Sequence, residues 1–165
     1  MIYYLLDASS YVRWALNKSD SFAIDFTAEK RKNNAFLYMP QFCVTEVMAA
    51  FSKEYYFKKL IDKPAFKKHV KEFSEAISQR SLIYIYDLHR YHNIVSEKSG
   101  IYIKANEIDS NIGVFDILII AMAKELRDLY RNKADEIIIL SEDAALRKTA
   151  QALEVKALSI KSGRC

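Results

Sequence analysis

Short runs of consecutive apolar residues alternate along this chain with stretches in which apolar residues recur every three or four positions. The first pattern predicts buried strands and the second amphipathic helices. Ile2 to Leu6 is such a run, stopping at Asp7-Ala8-Ser9-Ser10, and Ser9 or Ser10 is expected to cap a helix carrying Tyr11, Val12, Trp14, Ala15 and Leu16. The polar stretch 17–34 reads as a loop holding a short helix. Ala35 to Met39 predicts a second strand, stopped by Pro40, and a helical pattern follows from about Val44 through Val47, Met48, Phe51 and Tyr55. Pro64 suits the first turn of another helix, in which Phe66, Val70, Phe73 and Ile77 share a face.

Leu82 to Tyr86 predicts a third strand, and a helix is expected through Tyr91, Ile94 and Val95, while 100–111 has no decisive period. Phe115 to Leu129 is the most strongly apolar helix, nearly unbroken from Ile117 to Met122, and should be largely buried. Glu136 to Leu140 is a fourth strand, Ala144 to Leu153 a short amphipathic helix and Val155 to Ile160 a fifth strand. Strands alternating with helices predict an α/β fold, a parallel sheet covered on both faces. No repeat or linker divides the chain, so 1–165 is expected to be a single domain.

With 165 residues, 51% of them hydrophobic and 28% charged, the composition supports a packed core and excludes a collagen-like or disordered chain. The three glycines, Gly100, Gly113 and Gly163, never cluster, so neither a Walker loop nor a G-x-G-x-x-G turn exists to cradle a phosphate on backbone N–H groups. Any phosphate must be met by side chains or metal ions. The net charge of +4 is compatible with a polyanionic partner without demanding one. Two cysteines, Cys43 and Cys165, are too few for a disulfide framework or a four-cysteine zinc site, and Cys43 reads as a small buried hydrophobe. The opening run lacks a basic segment and is too short for a signal peptide or membrane span, which makes a cytoplasmic protein the expectation.

In open parallel sheets ligands bind beyond the carboxyl ends of the strands. Asp7 follows the first strand directly and Asp143 follows the fourth through Ser141-Glu142; Glu46 lies early in the helix after the second strand, and Asp116 opens the apolar helix between Phe115 and Ile117. Each acid alone is explained by the helix dipole, which favours carboxylates in a first turn. Four together on one side of a sheet are not, and Asp116 least of all, because burying a carboxylate among apolar residues is costly unless a cation or a proton compensates it. Hard divalent cations relieve the mutual repulsion of clustered carboxylates, and a pair about 4 Å apart activates water and stabilises a phosphodiester leaving group.

Four segments, Tyr4-Leu5-Leu6-Asp7-Ala8-Ser9, Val44-Thr45-Glu46-Val47, Phe115-Asp116-Ile117-Leu118-Ile119-Ile120-Ala121 and Ile139-Leu140-Ser141-Glu142-Asp143, occur in this order from one end of the chain to the other. In order and context they resemble PIN-domain ribonucleases, particularly the VapC-like toxins of bacterial and archaeal toxin–antitoxin pairs. The resemblance implies a three-layer α/β/α fold whose five-stranded parallel sheet has the order 3-2-1-4-5. It also implies Mg²⁺ or Mn²⁺ held by Asp7, Glu46, Asp116 and Asp143 as the catalytic set, with Ser9 and Ser141 in support. The activity implied is metal-dependent endonucleolytic cleavage of RNA; the implied partners are an RNA substrate, a cognate antitoxin and a second copy in a homodimer, with no membrane. Two departures bear on substrate and partner: Leu146 stands where the family commonly has an aromatic residue, and the chain is longer, in 17–34 and 51–80.

Seven lysines between Lys53 and Lys71, with Tyr55, Tyr56, Phe57 and Phe66 among them, suit either single-stranded RNA or a helical hairpin with a solvated lysine face and a buried aromatic stripe. Lys58, Lys59, Arg13 and Arg147 are the candidates to meet RNA phosphates, the two arginines doubling as ordinary surface residues. His89 and His92 lack a third ligand and read as surface or packing residues. Three alternatives remain beside the toxin: a PIN-domain nuclease of RNA processing or decay, a catalytically silent binding module, and a receiver-like or haloacid-dehalogenase-type domain. The last fits poorly, because Ala8 and Ser9 follow Asp7 where those folds need a second acid.

Overall fold

The computed structural model describes residues 1–17, 22, 24–31, 35–78, 82–86, 99–130 and 136–161. Strands β1 (Ile2–Leu6), β2 (Ala35–Pro40), β3 (Tyr84–Tyr86), β4 (Glu136–Leu140) and β5 (Lys156–Leu158) form one sheet, all parallel, in the order β3-β2-β1-β4-β5. β1 is central, with Leu5 beside Tyr38 of β2 on one side and Ile139 of β4 on the other. The chain steps outward through β2 and β3, then crosses back to lay β4 against the other side of β1. That reversal puts the topological switch point between β1 and β4, where their carboxyl ends leave a crevice.

Around the sheet lie α1 (Ala8–Leu16), α2 (Phe26–Arg31), α3 (Gln41–Ser52), α4 (Lys63–Ser78), α5 (Ser99–Ile108), α6 (Val114–Leu129) and α7 (Ala144–Ala152). α1 packs on α3 and α3 on α4, whereas α5, α6 and α7 pack on one another. Right-handed crossovers running in opposite directions from a central strand demand these two groups on opposite faces, giving the three-layer α/β/α arrangement. Leu5, Leu6, Ile139 and Leu140 are fully buried between the layers, which is why β1 and β4 are unbroken apolar runs instead of alternating ones. Each such side chain contributes about 1.5–3 kcal/mol on burial. On α6, Ile117, Ile119, Ile120, Met122 and Leu126 are buried, as its apolar sequence predicts.

The departures from the pattern have local causes. Neither serine caps α1: the strand gives way to the helix at Asp7 itself, with extended backbone (φ −75°, ψ 152°), and Ser9 and Ser10 fall inside the helix, where the Ser10 hydroxyl donates to the Asp7 carbonyl at 2.8 Å. α3 begins at Gln41, immediately after Pro40, three residues ahead of the expected start. β3 is shorter than 82–86 because the N–H groups of Leu82 and Ile83 donate to the Ala76 carbonyl at the end of α4 and not to β2. β5 is trimmed likewise, Val155 N–H donating to the Ala150 carbonyl of α7 and Ile160 N–H to the Glu142 carboxylate. The undecided segment 100–111 is largely helix, in α5. The short helix expected within 17–34 is α2; the expected helix through Tyr91, Ile94 and Val95, and His89 and His92, lie outside the described residues.

α3 continues without a break into a π-helical turn over Lys53–Phe57, and the connection to α4 is closed by Lys59 in the left-handed region (φ 53°). Tyr55 stacks on Phe66 of α4 at 5.0 Å, but Tyr56, Phe57 and Leu60 are exposed. The aromatic stripe of this hairpin is therefore only partly buried.

Candidate metal centre

An open cleft of about 720 Å³ lies over the carboxyl ends of β1 and β4, lined by Asp7, Ser9, Arg13, Glu46, Asp116, Glu142 and Asp143 among others. Its volume exceeds what a hydrated ion needs and matches that of a pocket for an organic ligand. All four acids singled out in the sequence reach it, each delivered by a different element: Asp7 from the end of β1, Glu46 from α3, Asp116 from the first turn of α6, Asp143 from the start of α7.

Asp7 is the most constrained. It is buried, and one of its carboxylate oxygens, Oδ2, accepts from the hydroxyls of both Ser9 and Ser141, the latter at 2.8 Å. Each hydroxyl in turn accepts a backbone N–H: Glu142 N–H donates to Ser9 Oγ at 2.9 Å and Asp143 N–H to Ser141 Oγ at 3.0 Å. With their lone pairs engaged from behind, the hydroxyls present their protons to Asp7 and hold its orientation. Both serines, expected in support, donate their hydroxyls to Asp7.

The other two aspartates follow the same plan. Asp143 is the N-cap of α7, its Oδ1 accepting from Ala145 N–H at 2.7 Å and Leu146 N–H at 3.0 Å. Asp116, at the third position of α6, reaches back with Oδ2 to the N–H of Gly113 at 3.2 Å. A Cβ on Gly113 would stand 2.8 Å from that oxygen, so the close approach depends on glycine. The helix-end account of acids is therefore correct for Asp143 and Asp116, but it uses only one oxygen of each. Among the described residues the second oxygen of Asp7, Asp116 and Asp143 has no hydrogen-bond partner. Glu46 has no helix-end duty at all, since the early start of α3 places it in the second turn.

Electrostatics bind the group together. Burial, then the charges of Asp143 and Asp7, push the Asp116 carboxyl up to about 6, with Glu46 adding to the rise and the Gly113 N–H opposing it. Burial and Asp7 raise the Glu46 carboxyl as well, against a hydrogen bond from the Cys43 thiol. Clustered carboxylates of this kind are the donor set of Mg²⁺ and Mn²⁺, which prefer hard oxygen ligands. One residue was read only as a packing group: Cys43 is fully buried, yet its sulfur and the carboxylates of Asp7 and Glu46 lie within 4.8 Å of one another, and burial and both acids push its thiol pKa up.

Of the cationic candidates, Arg13 lines the cleft. Arg147 does not; its guanidinium donates to the Ser141 carbonyl at 2.8 Å and braces the loop beneath the acids. Lys58 and Lys59 stand at the tip of the α3–α4 hairpin, outside the lining residues, with Lys58 paired to Glu54 at 2.6 Å. Glu142, passed over in the sequence as a spacer, also lines the cleft; nothing local marks it, because its partners are Arg13 on α1 and residues beyond β5.

No model of a known protein family matches this chain, and no curated protein matches it either. Fold and site must therefore be read from their own chemistry: a doubly wound parallel α/β fold with a carboxylate-lined cleft at its switch point. Among the described residues no helix is long and apolar enough to cross a membrane.

Proposed function

We propose that this protein is a Mg²⁺- or Mn²⁺-dependent endoribonuclease that hydrolyses RNA phosphodiester bonds, with the resemblance to VapC-like toxins assigning it the toxin's place in a toxin–antitoxin pair. The observation that carries the reading is the division of labour within the acids: three aspartates each fix one oxygen on the protein and leave the other unpartnered in a shared cleft. Such a preorganised set fits divalent cations, and their energetic cost without them is visible in the raised Asp116 and Glu46 carboxyls.

Bound there, the cations would neutralise the phosphodiester and make water nucleophilic at neutral pH. Asp7, Glu46, Asp116 and Asp143 would hold them. Ser9 and Ser141 fix the Asp7 rotamer, the outer-shell orientation on which metal sites depend. The Gly113 N–H does the same for Asp116, and the first turn of α7 for Asp143. In the hydrolysis the oxygen of one water joins phosphorus, the bond from phosphorus to the leaving ribose oxygen breaks, and that oxygen takes up a proton.

Incubating the purified protein with total RNA in Mg²⁺ or Mn²⁺, beside a chelator control and Asp116→Asn, tests this. Cleavage that requires the cation and disappears in the variant is expected. Cleavage that persists in chelator or in Asp116→Asn removes the metal mechanism, and no cleavage of any RNA by the native chain removes the nuclease.

A further inference from the structure

The cleft is a hostile place for a nucleic acid. Among the described residues five carboxylates line it, and Arg13 is the only cationic side chain that does. Divalent ions at the acids would neutralise the scissile phosphate, but an RNA strand brings the neighbouring phosphates too, and these need a cation supplied by the protein.

How Arg13 is held indicates its role. Its NH1 faces Glu142 Oε2 at 3.2 Å. Glu142 is itself fixed, since its other oxygen accepts from the Ser159 hydroxyl at 2.7 Å and from Ile160 N–H at 3.0 Å, and its backbone N–H is tied to Ser9. The carboxylate is therefore a rigid bracket built from the β4–α7 and post-β5 loops, and it stops the arginine from folding down onto the acids. The bracket engages only part of a guanidinium that carries five N–H donors. Arg13 lines the cleft with about a third of its side chain (36%) exposed, while its Nε is buried without a hydrogen-bond partner among the described residues. An arginine serving only to close an ion pair would use its fork bidentately; here the pair with Glu142 is made through NH1.

We infer that Arg13, aligned by Glu142 acting as a positioning residue, grips an RNA phosphate adjoining the scissile one. The inference rests on the nuclease reading and adds to it a protein-borne phosphate contact at the cleft wall, with Glu142 excluded from the metal set because its oxygens are already committed.

The test is binding, not turnover. In the Asp116→Asn chain, which prevents cleavage, the affinity for a short fluorescein-labelled oligouridylate is measured by anisotropy in Mg²⁺ across a salt series. Adding Arg13→Ala should weaken binding roughly 10- to 100-fold, the loss of charge-assisted hydrogen bonds. It should also reduce the slope of log affinity against log salt by about 0.7, one single-strand phosphate contact. Arg13→Lys should restore the slope and part of the affinity. Glu142→Gln should weaken binding with the slope intact, and should cost nothing further once Arg13 is alanine, because a positioning residue acts only through the group it positions. An Arg13→Ala variant with unchanged affinity and slope, or Arg13 and Glu142 effects that simply add, overturns the inference while leaving the nuclease standing. An Asp116→Asn parent that binds no RNA overturns both. Thermal unfolding of each variant accompanies the series, and the lysine and glutamine variants carry it should the alanine variant fail to fold.

Discussion

The cleft over β1 and β4 and the tip of the α3–α4 hairpin are built on opposite plans. In the cleft, charges of one sign are crowded together and each is oriented by backbone or hydroxyl donors anchored in the sheet. At the tip, Lys58 is paired with Glu54 one turn back and large apolar groups face outward: Phe57 is 81% and Leu60 71% exposed. The cleft crowds like charges to hold its geometry, whereas the tip's ion pair and ring contacts are local to the hairpin. Preorganisation of this kind is what a catalytic centre needs, so composition alone, which makes the tip's lysines and aromatics look like the RNA-binding element, is the poorer guide.

Mutations can break that contrast, beginning where the effect is largest. Asp7→Asn should lower cation-dependent RNA cleavage by more than about 100-fold, beyond what outer-shell groups cost, whereas Lys58→Ala and Lys59→Ala should change it only a few-fold; comparable losses in a gel-based cleavage assay would erase the distinction. Ser141→Ala removes a hydrogen-bond donor to the Asp7 carboxylate and strands the Asp143 N–H. Isothermal titration with Mn²⁺ should then show roughly 10- to 100-fold weaker binding, with a stability cost of about 1–3 kcal/mol in urea unfolding. Gly113→Ala drives a methyl group against Asp116 Oδ2. Its expected signature is weaker Mn²⁺ binding with little change in Tm, and a variant that binds Mn²⁺ as the parent does would show that Asp116 needs no such seat.

The smaller effects concern stability. Asp116 titrates near 6 in the folded chain, above the 3.8 of a free carboxyl. Between those values the folded chain keeps a proton that the unfolded chain has lost, so stability falls as pH rises through that window, and the deficit remains at neutral pH. Added Mg²⁺ or Mn²⁺ should therefore raise Tm more at about pH 7.5 than at about pH 5; equal shifts in a thermal melt would deny that the cation meets this carboxyl. At the tip, Phe57→Ser should stay within about 0.5 kcal/mol of the parent, as exposed positions do, and a larger loss would mean that the tip is packed after all.

Legibility in the sequence followed the range of the interactions. β1 and β4 were readable to the residue, because burial on both faces writes a continuous apolar run. Asp116 stood out because a carboxylate sat between Phe115 and Ile117. The ends of β3 and β5 were not readable, since they are set by which carbonyl the N–H groups of Leu82, Val155 and Ile160 find. The Ser9/Ser10 cap failed for a related reason: Asp7 both ends the strand and begins the helix. Glu142 is illegible because its partner Arg13 is distant in the chain; Cys43 is buried as its context predicts, and only its nearness to Asp7 lies beyond the sequence.

The single tryptophan of the chain, Trp14, sits on α1 immediately after Arg13, with Tyr11 and Phe26 against it and its indole N–H donating to Asp25 at 3.4 Å. All indole fluorescence thus comes from one position on the helix that borders the acids. The protein carries its own optical reporter, one that reads the packing of α1 against α2 without a label.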